Sequence, residues 1–246
     1  MKAVLTYHSI DATESPISVR PAEFARQLAG LKGAGVRIVG LRALEEMEEP
    51  GHAVAITFDD GFRNFEEEAW PILREAEAPV TVFVASDHVG GSNAWSAEDR
   101  RVPELPLMDW AALGRLAEAG VSLGAHSRSH PDLRGLPAAR VHEELEGGAA
   151  RIQQETGRRA DEFAYPFGCW DDAALGAVRR TYRRAYTTEL RPLGAADDRH
   201  LLPRIDAYYL RGRALEQWGS PRFERYLAVR GGLRRVRRLL TEGNWS

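Results

Sequence analysis

The chain has 246 residues and a net charge of -3 at pH 7, so it lacks the basic excess that is typical of a nucleic-acid-binding protein. Its 43% hydrophobic and 28% charged residues are typical of a globular protein, and we interpret residues 1–246 as one domain. The single cysteine, Cys169, excludes an intrachain disulfide and a metal site built from several cysteines.

Short apolar runs alternate with helical patterns along the chain. Stretches that predict strands lie at 3–10, 36–40, 53–61, 80–86, 121–127, 161–168 and 183–189. Amphipathic spacing predicts helices at 21–35, 41–48, 65–78, 109–120, 137–157 and 171–182. Pro71 predicts a kink in the third helix, and Gly147 with Gly148 predicts a weak point in the fifth. The Gly-rich stretch 87–106 predicts a loop.

This alternation predicts parallel strands that are joined by helical crossovers. A closed β/α barrel fits the length, and an open doubly wound sheet is the alternative. No GxGxxG motif follows the first strand, which weakens the dinucleotide-binding version of the open sheet. Both architectures place their functional groups at the carboxyl ends of strands.

Two adjacent aspartates, Asp59 and Asp60, stand at the end of the third predicted strand. Neighbouring side chains of a strand point to opposite faces, but Gly61 can break that alternation and bring both carboxylates to one site. Two carboxylates that are held close need a cation nearby, or one of them stays protonated. The pair therefore predicts a cation at this strand end.

Two histidines, His126 and His130, follow another predicted strand. Imidazole and carboxylate ligands suit zinc, and also cobalt, nickel or iron. Two histidines and one aspartate leave coordination positions open for water and substrate, as a catalytic metal requires. We therefore expect one divalent metal ion, with zinc as the first choice.

Three segments resemble the motifs of the polysaccharide deacetylase family, the metal-dependent carbohydrate esterases that include chitooligosaccharide deacetylases: TFDDG (57–61), HSRSH (126–130) and FAYPFG (163–168). In the third segment, Pro166, Phe167 and Gly168 match the family motif. The resemblance runs from Leu5 to Ile205. It implies a distorted β/α barrel of about seven parallel strands with outer helices, and removal of N-acetyl groups from amino sugars in glycans.

The resemblance also implies roles for single residues. The residues that match the metal ligands of the family are Asp60, His126 and His130. Asp59 matches the general base, which takes a proton from the attacking water. The backbone N–H of Phe167 matches the group that stabilises the oxyanion.

Two departures from the family pattern concern the catalytic groups. The arginine that begins the third motif and holds the catalytic aspartate is replaced by Ala164, and we expect Arg204 to take its place. The last motif, Leu-x-x-His, supplies the general acid, and the segment that starts at His200 does not match it. First and last strands are neighbours in a closed barrel, so we predict that His8, at the end of the first strand, is the general acid.

Aromatic residues near the motifs are candidates for binding the saccharide. Trp95 lies in the Gly-rich loop and Trp170 follows the third motif. Aromatic faces stack on sugar rings, so both could form a saccharide platform; packing in the core or the loop is the alternative. We include Pro166 among the candidate substrate-binding residues.

The C-terminal segment is basic and has apolar residues near helical spacing. The apolar residues are Phe223, Leu227, Leu233, Val236 and Leu240, and the clustered arginines are Arg234, Arg235, Arg237 and Arg238. A helix that packs on the barrel is the favoured interpretation. A peripheral contact with an anionic membrane is the alternative.

The leading hypothesis is a metal-dependent amide hydrolase that acts on N-acetylated sugars. The alternatives are a deacylase or deformylase acting on a nucleotide- or lipid-linked sugar or a small cyclic amide, and an inactive saccharide-binding homologue. We expect an N-acetylated saccharide as partner, no nucleic acid and no transmembrane segment. Because no secretory leader is recognisable, we expect a cytoplasmic location. The oligomeric state stays open.

Overall fold

The computed structural model describes residues 1–47, 51–210, 212 and 214–242, with side chains as far as residue 234. The strands in these residues are β1 (Lys2–Tyr7), β2 (Ser9–Ile10), β3 (Ser18–Val19), β4 (Arg37–Ile38), β5 (Ala53–Phe58), β6 (Val80–Val84), β7 (Ser122–Ala125), β8 (Glu162–Ala164), β9 (Arg184–Tyr186) and β10 (Ile205–Asp206). The α-helices are α1 (Pro21–Gly33), α2 (Leu41–Glu46), α3 (Trp70–Glu75), α4 (Trp110–Glu118), α5 (Ala138–Thr156), α6 (Asp172–Thr181) and α7 (Pro221–Glu242).

The main sheet confirms the predicted parallel barrel with helices outside. Its strands follow the order β10-β1-β5-β6-β7-β8-β9, with β4 added beside β5, and every pairing is parallel. The sheet curls back on itself through the segment that ends in β10. The backbone of Leu202 is hydrogen-bonded to Ala185 and Thr187, beside β9, and three residues later Ile205 pairs with Leu5 of β1. First and last strands are therefore neighbours, as the sequence predicts.

The central strands are buried on both faces, as is typical of a parallel sheet. Every residue of β5 and β6 is buried. A small cluster that includes Val4, Ala55 and Phe83 fills part of the interior, whereas a larger cluster lies between the strands and the helices. Gly124 of β7 is required by this packing, because a Cβ there would lie 2.5 Å from the ring of Phe83.

Several elements end earlier than the sequence predicts, and most of these ends lie next to the residues that the motifs single out. The first predicted strand is interrupted at His8, between β1 and β2, and the last one leaves the sheet after Tyr186. The helix predicted at 65–78 begins as one π-helical turn, and Pro71, where a kink is predicted, lies just after the change from π- to α-helix, in the first turn of α3. The long helix predicted at 137–157 is found as α5, which runs unbroken through Gly147 and Gly148.

The C-terminal helix α7 packs on the barrel at its start. Phe223 and Leu227 are buried, whereas Leu233 is 62% exposed. The sequence also singles out Val236, Leu240, Arg235, Arg237 and Arg238, whose side chains lie outside the described residues. Within the described part of the chain, no helix has the length and hydrophobicity to cross a membrane.

Candidate metal centre and active site

The carboxyl ends of three strands, and the amino end of a fourth, bring the candidate residues together. His8 follows β1, Asp59 and Asp60 follow β5, and His126 follows β7 directly. Arg204 directly precedes β10, the strand that pairs with β1. Residues 126–130, which we call the histidine loop, carry both histidines of the second motif. The fold thus gathers side chains that are far apart in sequence at one end of the barrel, where β/α folds place their functional groups.

Three ligand atoms form a nearly equilateral triangle. The Nε2 atoms of His126 and His130 are 3.2 Å apart, and each lies 3.4 Å from Oδ1 of Asp60. All three side chains are buried. An ion with tetrahedral ligands at about 2.0–2.1 Å separates those ligand atoms by about 3.3 Å. The triangle therefore has the dimensions of three corners of a tetrahedral metal site, which leaves the fourth corner for another ligand.

The protonation of His126 also favours a cation here. Its Nδ1 donates a hydrogen bond to the carbonyl oxygen of Ala164 at 2.7 Å, so Nε2 presents a lone pair when the ring is neutral. Burial lowers the pKa of His126 to about 4, which keeps the ring neutral at pH 7. The lone pair then faces the carboxylate of Asp60 across 3.4 Å. Two acceptors that face each other in a buried site fit a metal ion between them.

The backbone is strained where these ligands are presented. Among the described non-glycine residues, positive φ angles occur at Asp60, Ser127, His130 and Phe167, with Glu77 as the one example outside the site. Such conformations cost on the order of 1–3 kcal/mol each and persist only when the surroundings enforce them. Their clustering indicates that the fold enforces the positions of these groups.

The ionisation of Asp60 is set by its surroundings. Burial raises the pKa of this carboxyl, but hydrogen bonding and the charge of His130 outweigh burial, so the pKa lies below its ordinary value. Asp60 is therefore a carboxylate at neutral pH. A carboxylate together with two histidine side chains is a ligand set that suits zinc and related divalent ions.

Aromatic rings enclose His130. Trp95 stacks on its imidazole with ring centroids 4.5 Å apart and an angle of 22° between the planes. Phe167 meets the same imidazole edge-on at 4.7 Å, and its own ring is 54% exposed. Trp95 thus reaches the site as expected, but His130 covers part of its surface. Pro166 is buried and Trp170 is partly buried against the core, so their roles in binding a saccharide stay predictions.

Asp59 is paired with Arg204 in a fully buried ion pair. Nη1 and Nη2 of Arg204 bind the two carboxylate oxygens at 2.6 and 2.7 Å. Burial raises the pKa of Asp59, but Arg204 outweighs this effect and holds the pKa below its ordinary value. Nε of Arg204 donates to the carbonyl oxygen of Thr187 at 3.1 Å, and its guanidinium lies over the ring of Phe83 at 5.5 Å. The family motif has an arginine where this chain has Ala164. Arg204 thus replaces that arginine and reaches Asp59 from the other side of the barrel.

His8 lies next to the same carboxylate. Its Nε2 is 3.9 Å from Oδ2 of Asp59, and its side chain keeps 23% of its surface exposed. His200 lies elsewhere: its Nε2 contacts the carbonyl oxygen of Tyr182 at 3.1 Å, and its Nδ1 is 3.6 Å from Asp198. Of these two histidines, His8 is the one beside the candidate base.

The third motif forms a tight turn that presents a backbone N–H. Phe167 and Gly168 both have positive φ. The N–H groups of Gly168 and Cys169 are hydrogen-bonded within the turn, whereas the Phe167 N–H takes no part in these turn hydrogen bonds. A Cβ at Gly168 would collide with the hydroxyl of Thr188, so only glycine fits. This local structure leaves the Phe167 N–H available to a ligand.

Two supporting groups escape prediction from the sequence. The Thr187 carbonyl that holds Arg204 is a backbone group, which leaves no sequence signal. Glu144 of α5 is fully buried and binds the histidine loop. The sequence does contain a sign of this role, because Glu144 is an acidic residue on the apolar face of an amphipathic helix, beside Val141 and Leu145.

Known proteins resemble this chain over most of its length. A family model described as polysaccharide deacetylase matches residues 46–185. YxkH of Bacillus subtilis (strain 168), named for that family, is 23% identical over 76% of this chain and 64% of its own. A poly-beta-1,6-N-acetyl-D-glucosamine N-deacetylase of Staphylococcus aureus (strain MSSA476) is 23% identical over 76% of this chain and 67% of its own. The chain thus spans about two thirds of the length of these curated relatives.

The fold has solved counterparts as well. The structure of IcaB from Ammonifex degensii superimposes on this chain with a TM-score of 0.71. The two chains are 24% identical, and the match covers 84% of this chain and 93% of IcaB. At this identity, the similarity establishes a shared fold.

Proposed function

The chain belongs to the polysaccharide deacetylase family, and from this premise we propose that it is a metal-dependent hydrolase that removes N-acetyl groups from amino sugars of a saccharide. One observation carries the proposal: the ligand triangle of Asp60, His126 and His130 lies beside Asp59, a buried carboxylate that Arg204 keeps ionised. Amide hydrolysis needs an electrophilic centre and a base side by side.

The metal centre would be held by Asp60, His126 and His130. Members of the family are metal-dependent, and the spacing of the three ligand atoms fits a divalent ion, for which we propose zinc. Cobalt, nickel and iron suit the same ligands. When bound, the ion supplies positive charge that polarises the amide carbonyl and lowers the pKa of water.

The remaining steps fall to the side chains and backbone around the centre. Asp59 takes a proton from the water that attacks the amide carbon, because it is ionised and its position is fixed by Arg204. The Phe167 N–H donates a hydrogen bond to the oxyanion that develops on the carbonyl oxygen. His8 gives a proton to the departing amine, which leaves only when it is protonated. Acetate and a free amino sugar result.

The proposed substrate is a β-1,6-linked N-acetylglucosamine saccharide, since the Staphylococcus aureus relative carries that substrate in its name. The exposed ring of Phe167 and the partly buried ring of Trp95 offer apolar surface to a sugar at the metal centre. The cytoplasmic location and the membrane contact of the basic C-terminal helix stay predictions.

A substrate panel tests the proposal. Zinc-loaded protein would be incubated with β-1,6-linked and β-1,4-linked N-acetylglucosamine oligosaccharides, a nucleotide-linked N-acetylated sugar and a cyclic amide, and acetate would be measured. Acetate from the oligosaccharides, fastest with the β-1,6 linkage, supports it. Turnover of only the nucleotide-linked sugar or the cyclic amide favours the alternative hydrolase. Binding of the oligosaccharides without any acetate favours an inactive saccharide-binding protein.

A further inference from the structure

Glu144 is a carboxylate without solvent exposure whose two oxygens are fully engaged by the histidine loop and its surroundings. Oε2 accepts hydrogen bonds from the backbone N–H groups of Arg128 at 3.0 Å and Ser129 at 2.7 Å. Oε1 accepts from the Ser129 hydroxyl at 2.5 Å and from Nη2 of Arg140 at 2.7 Å. The backbone between the two metal-ligand histidines is therefore held by one buried side chain of α5.

Gly148 lies one helical turn after Glu144, on the same face of α5. A Cβ at Gly148 would lie 3.0 Å from the carbonyl oxygen of Ser127 and 3.3 Å from the N atom of Arg128. Contacts this short require the loop backbone to shift by a few tenths of an ångström. Glycine therefore lets the helix approach the loop closely enough for the Glu144 hydrogen bonds, which gives a reason for the glycine in the middle of a helix.

The loop backbone is strained and is held by hydrogen bonds from neighbouring elements as well as from within the loop. Ser127 and His130 both have positive φ, a strained conformation for residues with a side chain. Within the loop, the Ser127 hydroxyl accepts a hydrogen bond from the His130 N–H at 3.0 Å. On the far side, the N–H of Asp87 donates to the Arg128 carbonyl oxygen at 2.9 Å. Glu144 binds the backbone N–H groups of Arg128 and Ser129 from the helix side.

We propose that Glu144 and Gly148 are positioning residues for the metal centre: together they fix the backbone at 127–129 and thereby the spacing of His126 and His130. The Nε2 atoms of the two histidines lie 3.2 Å apart, and an ion needs that spacing within a few tenths of an ångström. This inference rests on the metal centre proposed above. Second-layer groups of this kind typically change metal affinity about 10- to 100-fold when they are replaced.

The test measures metal affinity separately from activity and from folding. Metal-free full-length protein would be titrated with zinc in competition with a chromophoric chelator, and with cobalt to follow its visible absorption spectrum. The variants are Glu144→Gln, which keeps the side-chain length but places an amide NH2 among donors, and Gly148→Ala. The controls are Glu146→Gln, an exposed glutamate of the same helix, and Gly147→Ala, whose Cβ would meet only the flexible side chain of Arg128.

We expect zinc affinity to fall about 10- to 100-fold in Glu144→Gln, to fall also in Gly148→Ala, and to remain at the wild-type value in both controls. The cobalt spectrum should change in the two test variants alone. Zinc affinity equal to that of the wild type in a folded Glu144→Gln or Gly148→Ala overturns the proposal. If Glu144→Gln does not fold, Gly148→Ala decides, and if neither folds, the contact serves the whole domain and the proposal is also overturned. If the wild-type protein itself binds no metal, the proposed metal centre is wrong, and this result differs from one in which only the variants bind zinc normally.

Discussion

The guanidinium of Arg204 binds both carboxylate oxygens of Asp59, at 2.6 and 2.7 Å, although the two residues are 145 positions apart. Neither side chain is appreciably exposed. The family motif supplies such an arginine from the strand that here carries Ala164 instead. Closure of the barrel through β10 delivers Arg204 to the same carboxylate from another direction. The pair accounts for an ionised base in a buried position, because the nearby cation offsets the cost of burial.

Replacing Arg204 by methionine should move the acidic limb of the kcat/KM–pH profile to higher pH. Arg204 lowers the pKa of Asp59 and burial raises it, so the pKa rises when the cation is removed, and the base is then ionised only at higher pH. The variant should also lose about 3–5 kcal/mol of stability, since one partner of a buried pair is left alone. Arg204→Lys should shift the limb less. The exposed Arg42→Met is the control, and an acidic limb that stays in place in Arg204→Met contradicts the role of the pair.

Substitutions of the two adjacent aspartates should have different effects on the zinc content of the protein. Asp59→Asn should keep its zinc while turnover falls about 10²- to 10⁴-fold, because the lost function is proton transfer. Asp60→Asn should lose zinc affinity, because Oδ1 of Asp60 is one corner of the ligand triangle. The two variants are compared by their zinc content, from elemental analysis, and by their turnover, from acetate release. An Asp59→Asn protein that lacks zinc but turns over in excess zinc shows Asp59 to be a ligand.

His8→Ala should lower turnover about 10²- to 10⁴-fold and leave the zinc content unchanged, because His8 is the proposed proton donor to the amine. His200→Ala is the matched control, since His200 contacts Tyr182 and Asp198 instead. Equal losses in the two variants, or an active His8→Ala, exclude His8 as the acid.

Neighbouring substitutions in the third motif should have opposite outcomes. Phe167→Gly keeps the backbone N–H and suits the positive φ of 57°, so turnover should stay within about tenfold of the wild type. Gly168→Ala adds a Cβ that collides with Thr188 and displaces the turn, so turnover should fall about 10²- to 10³-fold. Steady-state kinetics with circular dichroism as a folding control decide the matter. Loss of turnover in folded Phe167→Gly would mean that the side chain matters rather than the N–H.

The sequence predicts the parts of the site that lie on strand ends. Asp60, His126 and His130 follow apolar runs whose carboxyl ends must meet at one end of a parallel barrel. The closure of that barrel also underlies the prediction that His8 lies at the site, and His8 is found beside Asp59. Arg204 is different, because it is expected only as a substitute for the arginine of the family motif, and it is found bound to Asp59.

The sequence fails where a short element depends on tertiary contacts. Strand β10 has two residues, too few for a periodic pattern, and residues 187–189 leave the predicted strand because their backbone binds Arg204. The stacking of Trp95 on His130 depends on the path of a long loop. Gly148 suggests a weak helix by its propensity, but the close approach of the histidine loop outweighs that propensity.

The central claim is tested most directly by acetate release from β-1,6-linked N-acetylglucosamine oligosaccharides, measured with metal-stripped protein before and after zinc is added back. The account predicts no acetate from the stripped protein and full recovery with about one zinc per chain, since one ligand triangle is present among the described residues. Equal acetate release with and without metal would contradict it, as would a zinc-loaded protein that releases no acetate from any N-acetylated saccharide.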